Sequence, residues 1–199
     1  MSAVDKLKIG YALTGSFCTF AESFSAMEKL VGLGYELTPI TSFNAYNIST
    51  RFGTAAENRE RLKTICGREI IHTIEDAEPI GPKKMFDLLI VAPCTSNTLA
   101  KLAGGINDTP VTMAVKSHLR NMRPVLIAIS TNDALAAAAK NIGMLQNYRN
   151  YFFLPYRQDD IAKKPMSMVA DFSLMPKAAE TALHGEQLQP IVLGAKNII

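Results

Sequence analysis

The 199-residue chain carries 21 lysines and arginines against 18 aspartates and glutamates, a formal net charge of +3. That length fits one domain with a core of its own, and so mild a charge, spread along the chain, argues little for a nucleic-acid partner. Three cysteines without a CxxC pair argue against a disulfide framework, no apolar run approaches a secretion signal or the ~20 residues of a membrane span, and His72, His118 and His184 lack ligand spacing for a metal.

Taken in order, 7–13 (LKIGYAL) reads as a first strand, and 20–33 as an amphipathic helix with Phe20, Phe24, Met27, Leu30 and Val31 on one face. Residues 35–41 read as a second strand, 53–66 as a helix stopped by Gly67, and 69–73 as a short strand. FDLLIVA at 86–92 is a continuous apolar run, the pattern of a parallel strand covered on both faces. Helices follow at 95–103 and 110–120, another buried strand at 124–129, a helix at 133–146, a last strand at 151–154 and a closing helix at 168–184. Residues 155–165 lack a period and read as a long loop. The alternation predicts a three-layer α/β domain, flavodoxin-like or Rossmann-like, with a mostly parallel sheet and helices on both faces. It spans 1–199 as a single domain in a cytoplasmic protein, with 185–199 open to being an extended tail.

In such a sheet ligands bind beyond the carboxyl ends of the strands, and those ends are polar here. The first strand runs into Thr14-Gly15-Ser16, where glycine permits close approach and the following helix offers free N–H groups to an anion. The second runs into Ser42 and Phe43; the buried strands run into Pro93-Cys94-Thr95-Ser96-Asn97-Thr98 and Ser130-Thr131-Asn132-Asp133. Any one of these turns is accounted for by helix capping. Four on one sheet edge point to a phosphorylated, partly aromatic ligand lying across them.

These motifs in this order resemble the homo-oligomeric flavin-containing cysteine decarboxylase family. Thr14-Gly15-Ser16 matches its first motif, and Pro93–Thr98 followed by Leu99-Ala100-Lys101-Leu102-Ala103 is similar to its PASANT motif. The resemblance implies a flavodoxin-like fold, bound FMN, and homotrimers or assemblies of trimers. It places Thr14, Gly15, Ser16, Ser42, Phe43, Pro93, Thr95, Ser96, Asn97, Ser130 and Asn132 around the cofactor, with Asn97 and Asn132 nearest the chemistry. The stretch Glu78-Pro79-Ile80-Gly81-Pro82 has no histidine where the family's decarboxylases carry one, and Ser130–Asp133 keeps only the Asn of the third motif. Both argue against decarboxylation of an aminothiol.

The stretches LTGSFCT, TRFG, EPIGP, ISTNDAL and PYRQDDIAKKPMSMVAD are similar to one branch of the family across nearly the whole chain. That branch implies oxidation of a dihydropyridine dicarboxylate alongside a second subunit, through which alone NADPH or NADP would enter. Arg51, Arg157, Lys163 and Lys164 are the cationic candidates for its carboxylates. A chain that only stabilises its partner is the non-catalytic alternative. Cys94, at the end of a buried strand, is read as structural rather than nucleophilic.

Overall fold

The computed structural model describes residues 6–194. Strands β1 (Lys8–Leu13), β2 (Glu36–Thr41), β3 (Leu88–Cys94), β4 (Val125–Thr131) and β5 (Tyr151–Phe153) form a parallel sheet in the order β2-β1-β3-β4-β5. This is the flavodoxin-like order, in which the strand order reverses between β1 and β3. β3 is buried along its whole length, as its unbroken apolar sequence requires.

Helices α1 (Phe20–Gly32), α2 (Phe43–Asn47), α3 (Ala55–Cys66), α4 (Ile74–Ala77), α5 (Ser96–Ala103), α6 (Pro110–Leu119), α7 (Ala139–Gln146) and α8 (Met175–Leu183) cover the sheet. Local chemistry fixes several of their starts. Thr54 and Glu57 form a capping box at α3, Thr109 and Thr112 do so at α6, and Thr95 caps α5. The large apolar side chains of β1, β3 and β4 join those of α1, α5, α6 and α8 in one continuous core.

The structure departs from the sequence pattern in several places. Residues 69–73 form no strand but a single parallel bridge between Ile40 and Ile71. The helix expected over 133–146 begins only at Ala139; turns closed by bonds such as Ala136 N–H to Asp133 O precede it. The loop and helix expected over 155–184 contain an antiparallel ribbon, β6 (Tyr156–Gln158) with β7 (Met168–Ala170), before α8 starts. Three-residue strands are too short to show a period of two. Two further short helices, α2 and α4, were not expected.

The ribbon matters to the site. β7 pairs antiparallel with Ser130 and Thr131 at the end of β4, while β5 pairs with the beginning of the same strand. The ribbon therefore rises beyond the carboxyl edge of the sheet and walls one side of it. Residues 185–194 lie against their own chain: Tyr156 N–H donates to Ile191 O at 3.0 Å, and the Gln187 amide brackets both backbone groups of Phe153. Residues 195–199, the end of the expected tail, lie outside the described residues. Among the described residues no helix is long and apolar enough to cross a membrane.

Candidate functional site

The carboxyl edge is organised by a flaw in β3. The register with β4 passes from Val91–Ile127 to Cys94–Ile129, so one residue too many is accommodated around Pro93, which has no N–H for the ladder. The carbonyls this leaves are taken by side chains. Ser23 of α1 donates to Ala92 O at 2.8 Å, and Thr14 donates to Pro93 O through its hydroxyl at 2.8 Å and its amide at 3.2 Å. Thr14 Oγ1 also accepts the Thr95 N–H at 3.0 Å. The ends of β1 and β3 are thus sewn together through one buried threonine.

Two clefts open on either side of this seam, with Gly15 and Thr95 lining both. The smaller, about 330 Å³, lies toward β2 and includes Ser42, Phe43, Asn97, Lys101 and Thr109. The larger, about 640 Å³, lies between β1 and the ribbon and includes Ser16, Ser96, Ser130, Asn132 and Lys164. A Cβ built on Gly15 would meet nothing nearer than 3.7 Å, so the seam leaves ligand space above it.

Most of the hydroxyls are engaged within the chain. Ser16 Oγ lies 2.8 Å from Ser130 Oγ, which is also 3.2 Å from Thr19 Oγ1. Ser42 caps α2 by accepting the Ala45 N–H at 3.2 Å; Thr95 caps α5 through Thr98. Asn132 Oδ1 accepts from Ser167 at 3.4 Å. By contrast, the Thr41 hydroxyl, one residue before Ser42, is buried with no partner among the described residues. Such an orphan is costly unless a ligand or water completes it.

The sequence candidates thus divide between the clefts. Thr14, Ser42, Phe43 and Asn97 border the small one, and Ser16, Ser96, Ser130 and Asn132 the large one. Pro93 is buried behind them and acts through its carbonyl. Only Lys164 of the four cationic candidates reaches a cleft, and it is paired with Asp159 at 2.9 Å; that bond holds its ammonium above the usual lysine range. Arg157 faces Asp171 in an ion pair at 2.5 Å. Arg51 lies over the exposed Phe52 ring, 4.9 Å from its centroid, and Lys163 is an exposed residue of the ribbon loop. Cys94 is fully buried, and burial pushes its thiol far up, so it stays protonated.

Sequence reasoning passed over Lys101, Thr109, Cys18, Glu22 and Asp159, which line the clefts. Lys101 was legible: it stands four residues after Asn97, on the same helix face. Asp159 was not, because the ribbon that carries it left no periodic trace.

A family model described as Flavoprotein matches residues 2–176. The chain belongs to the Flavoprotein family. It is 45% identical over 193 residues to the B subunit of dipicolinate synthase from Bacillus subtilis (strain 168), covering 97% of this chain and 96% of that one. Its structure matches that of the dipicolinate synthase B subunit from Bacillus halodurans C with a TM-score of 0.88 at 39% identity, over 98% and 100% of the two chains. DmrB of Burkholderia xenovorans, solved in complex with FMN, shares the fold at a TM-score of 0.68 and 18% identity, over 92% and 98% of the chains. In this flavoprotein the two clefts meet at the β1/β3 reversal, the point where flavodoxin-like sheets hold their ligands.

Proposed function

We propose that the chain is the flavin-binding B subunit of a dipicolinate synthase. With an A chain it would oxidise dihydrodipicolinate to dipicolinate in the cytoplasm of a sporulating cell, in the mother-cell compartment. The observation that carries this reading is the 45% identity to the Bacillus subtilis B subunit over nearly the whole of both chains. Loss of the histidine and of the third-motif residues disfavours an aminothiol decarboxylase.

FMN fits the residues present. Gly15 leaves room for a close approach, and the Thr41 hydroxyl, one residue before Ser42, is buried without a partner among the described residues behind the cleft lining. Ser42 and Asn97 supply polar groups suited to a phosphate or a polar ring edge, and Lys101 adds a cation that Asp108 already pairs at 2.6 Å. Across the seam Ser96 and the Asn132 amide supply more, beside the Ser16–Ser130 pair that is already bonded to itself. When bound, FMN supplies a two-electron acceptor. The chain's own part is to bind and orient it: Thr14 and Thr95 hold the seam, and Asn97 and Asn132 present side-chain amides from either cleft.

The large cleft sets Glu22, Asp133 and Asp159 against Lys164. Three carboxylates and one already paired lysine make a poor seat for a dicarboxylate. The substrate's two carboxylates therefore belong mainly with cations of the A chain, which also brings NADPH or NADP. Glu22, with no partner of its own among the described residues, is placed to accept the proton that leaves the dihydropyridine. Homotrimers, or assemblies of trimers, complete the proposal.

The test is the visible spectrum of the purified chain, alone and with the A chain. The reading predicts a bound flavin, released as FMN, whose absorbance bleaches when dihydrodipicolinate is added to the complex. A colourless chain that takes up no FMN yet completes an active complex would leave it a stabilising partner only.

A further inference from the structure

The opposite end of the sheet carries a cluster that the flavin reading does not use. Two adjoining concavities of about 340 and 310 Å³ open where β1, β2 and β3 begin, and they share Lys8, Lys84 and Met85. Lys6, Lys83, Arg68 and Arg123 complete the cationic lining, against Glu36 and Asp87 as its carboxylates among the described residues. Glu36 is taken by Arg68 at 2.8 Å and Asp87 by Arg123 at 3.2 Å. Among the described residues the ammonium groups of Lys6, Lys8, Lys83 and Lys84 have no acidic partner, although the Lys8 backbone N–H donates to Asp87 Oδ2 at 2.9 Å. In sequence these four are spread over nearly eighty positions; the strand starts bring them together.

The loop that holds Lys83 and Lys84 is built rigidly. Gly81 packs so tightly on α6 that a Cβ there would lie 2.3 Å from Ser117 O. Asn121 donates to Gly81 O at 2.8 Å, and Arg123 donates to the carbonyls of Lys84 and Phe86 as well as pairing with Asp87. Lys84 itself sits at φ 48°, a left-handed conformation that glycine or asparagine adopts more cheaply. A lysine in a conformation that glycine adopts more cheaply, on a braced loop and beside three other ammonium groups without an acidic partner among the described residues, points to a use for its side chain.

We propose that this amino-terminal edge is a second binding site, for a compact polyanion that presents at least two phosphate or carboxylate groups to Lys8, Lys83 and Lys84. It is separate from the flavin clefts, and nothing in it depends on the flavin reading. The concavities supply shape, the braced loop fixes the backbone from which Lys83 and Lys84 project, and each ammonium acts as a point charge toward the anion.

The full chain titrated calorimetrically with inorganic pyrophosphate, and separately with citrate, in an amine buffer of about 50 mM ionic strength tests this. Saturable one-to-one binding is expected, weakened as salt is raised. Lys83→Ala and Lys84→Gly should each weaken it roughly two- to fivefold, the worth of one exposed ion pair. Lys84→Gly should leave the melting temperature unchanged or higher, because it relieves the backbone, so a loss of binding there is not a loss of fold. Lys101→Ala, in the small cleft, should leave the anion affinity alone. Binding of pyrophosphate alone assigns the site to phosphate esters; binding of both assigns it to polyanions by charge. No saturable binding of either anion, or equal affinity in the Lys83→Ala/Lys84→Gly double variant, overturns the proposal.

Discussion

The two ends of the sheet solve the problem of an exposed strand end in different ways. At the carboxyl end neutral hydroxyls and amides bond to one another, and one buried hydroxyl stays unmet. At the amino end the backbone is locked by close packing and an arginine, and the excess is of charge rather than of hydrogen bonds. Hydrogen-bonding groups in fixed positions discriminate by geometry, whereas solvent-facing ammonium groups attract at longer range and are screened by salt. The first suits a ligand read at fixed points, such as a ring and its phosphate arm; the second suits an anion of loosely defined shape.

Breaking the amino end should cost most. Gly81→Ala drives a Cβ into the backbone of α6, and a loss of about 3 kcal/mol is expected, visible as a fall of about 10 °C in Tm. A variant that melts like the parent would mean the loop is not braced there.

Acid should act on the same end. His118, buried on α6, sits 2.9 Å from Pro124 O at the head of β4. Burial lowers its pKa from 6.5 to about 4, so the folded state keeps the ring neutral while the unfolded chain takes up a proton. Its contribution is complete above about pH 6.5 and is lost as pH falls toward 4, by up to about 3 kcal/mol. Urea unfolding across that range should show the slope, and His118→Gln should flatten it.

At the carboxyl end the effects are smaller and more local. Thr14→Val strips the seam of a donor to Pro93 O and of the acceptor for Thr95 N–H, at about 2 kcal/mol. Flavin uptake should fall with it, since both clefts share that wall. Thr41→Val should do the reverse for the ligand-free chain, stabilising it by about 1 kcal/mol because an unpaired hydroxyl is removed at equal volume. If the same variant also binds FMN more weakly, that hydroxyl is a ligand contact; unchanged affinity would detach it from the site.

Much of this was legible in the chain itself. The unbroken apolar run of β3, the helical spacing of α1 and stops such as Gly67 gave the strand–helix alternation, because periodicity and helix stops are local properties. The polar residues after β1, β2, β3 and β4 marked the edge where the clefts open, and the order of those turns carried the family resemblance. What the sequence could not decide is which groups are already spent. Thr14 and Ser130 look like ligand donors until the fold sets them 2.8 Å from Pro93 O and Ser16. Arg157 looks like a carboxylate anchor until Asp171 stands beside it. The ribbon β6–β7 was invisible because its strands are only three residues long and draw their stability from pairing with β4 and with each other. The lysines of the amino edge, isolated in sequence, become a cluster only because parallel strands begin side by side, so that residues far apart in the chain share one surface.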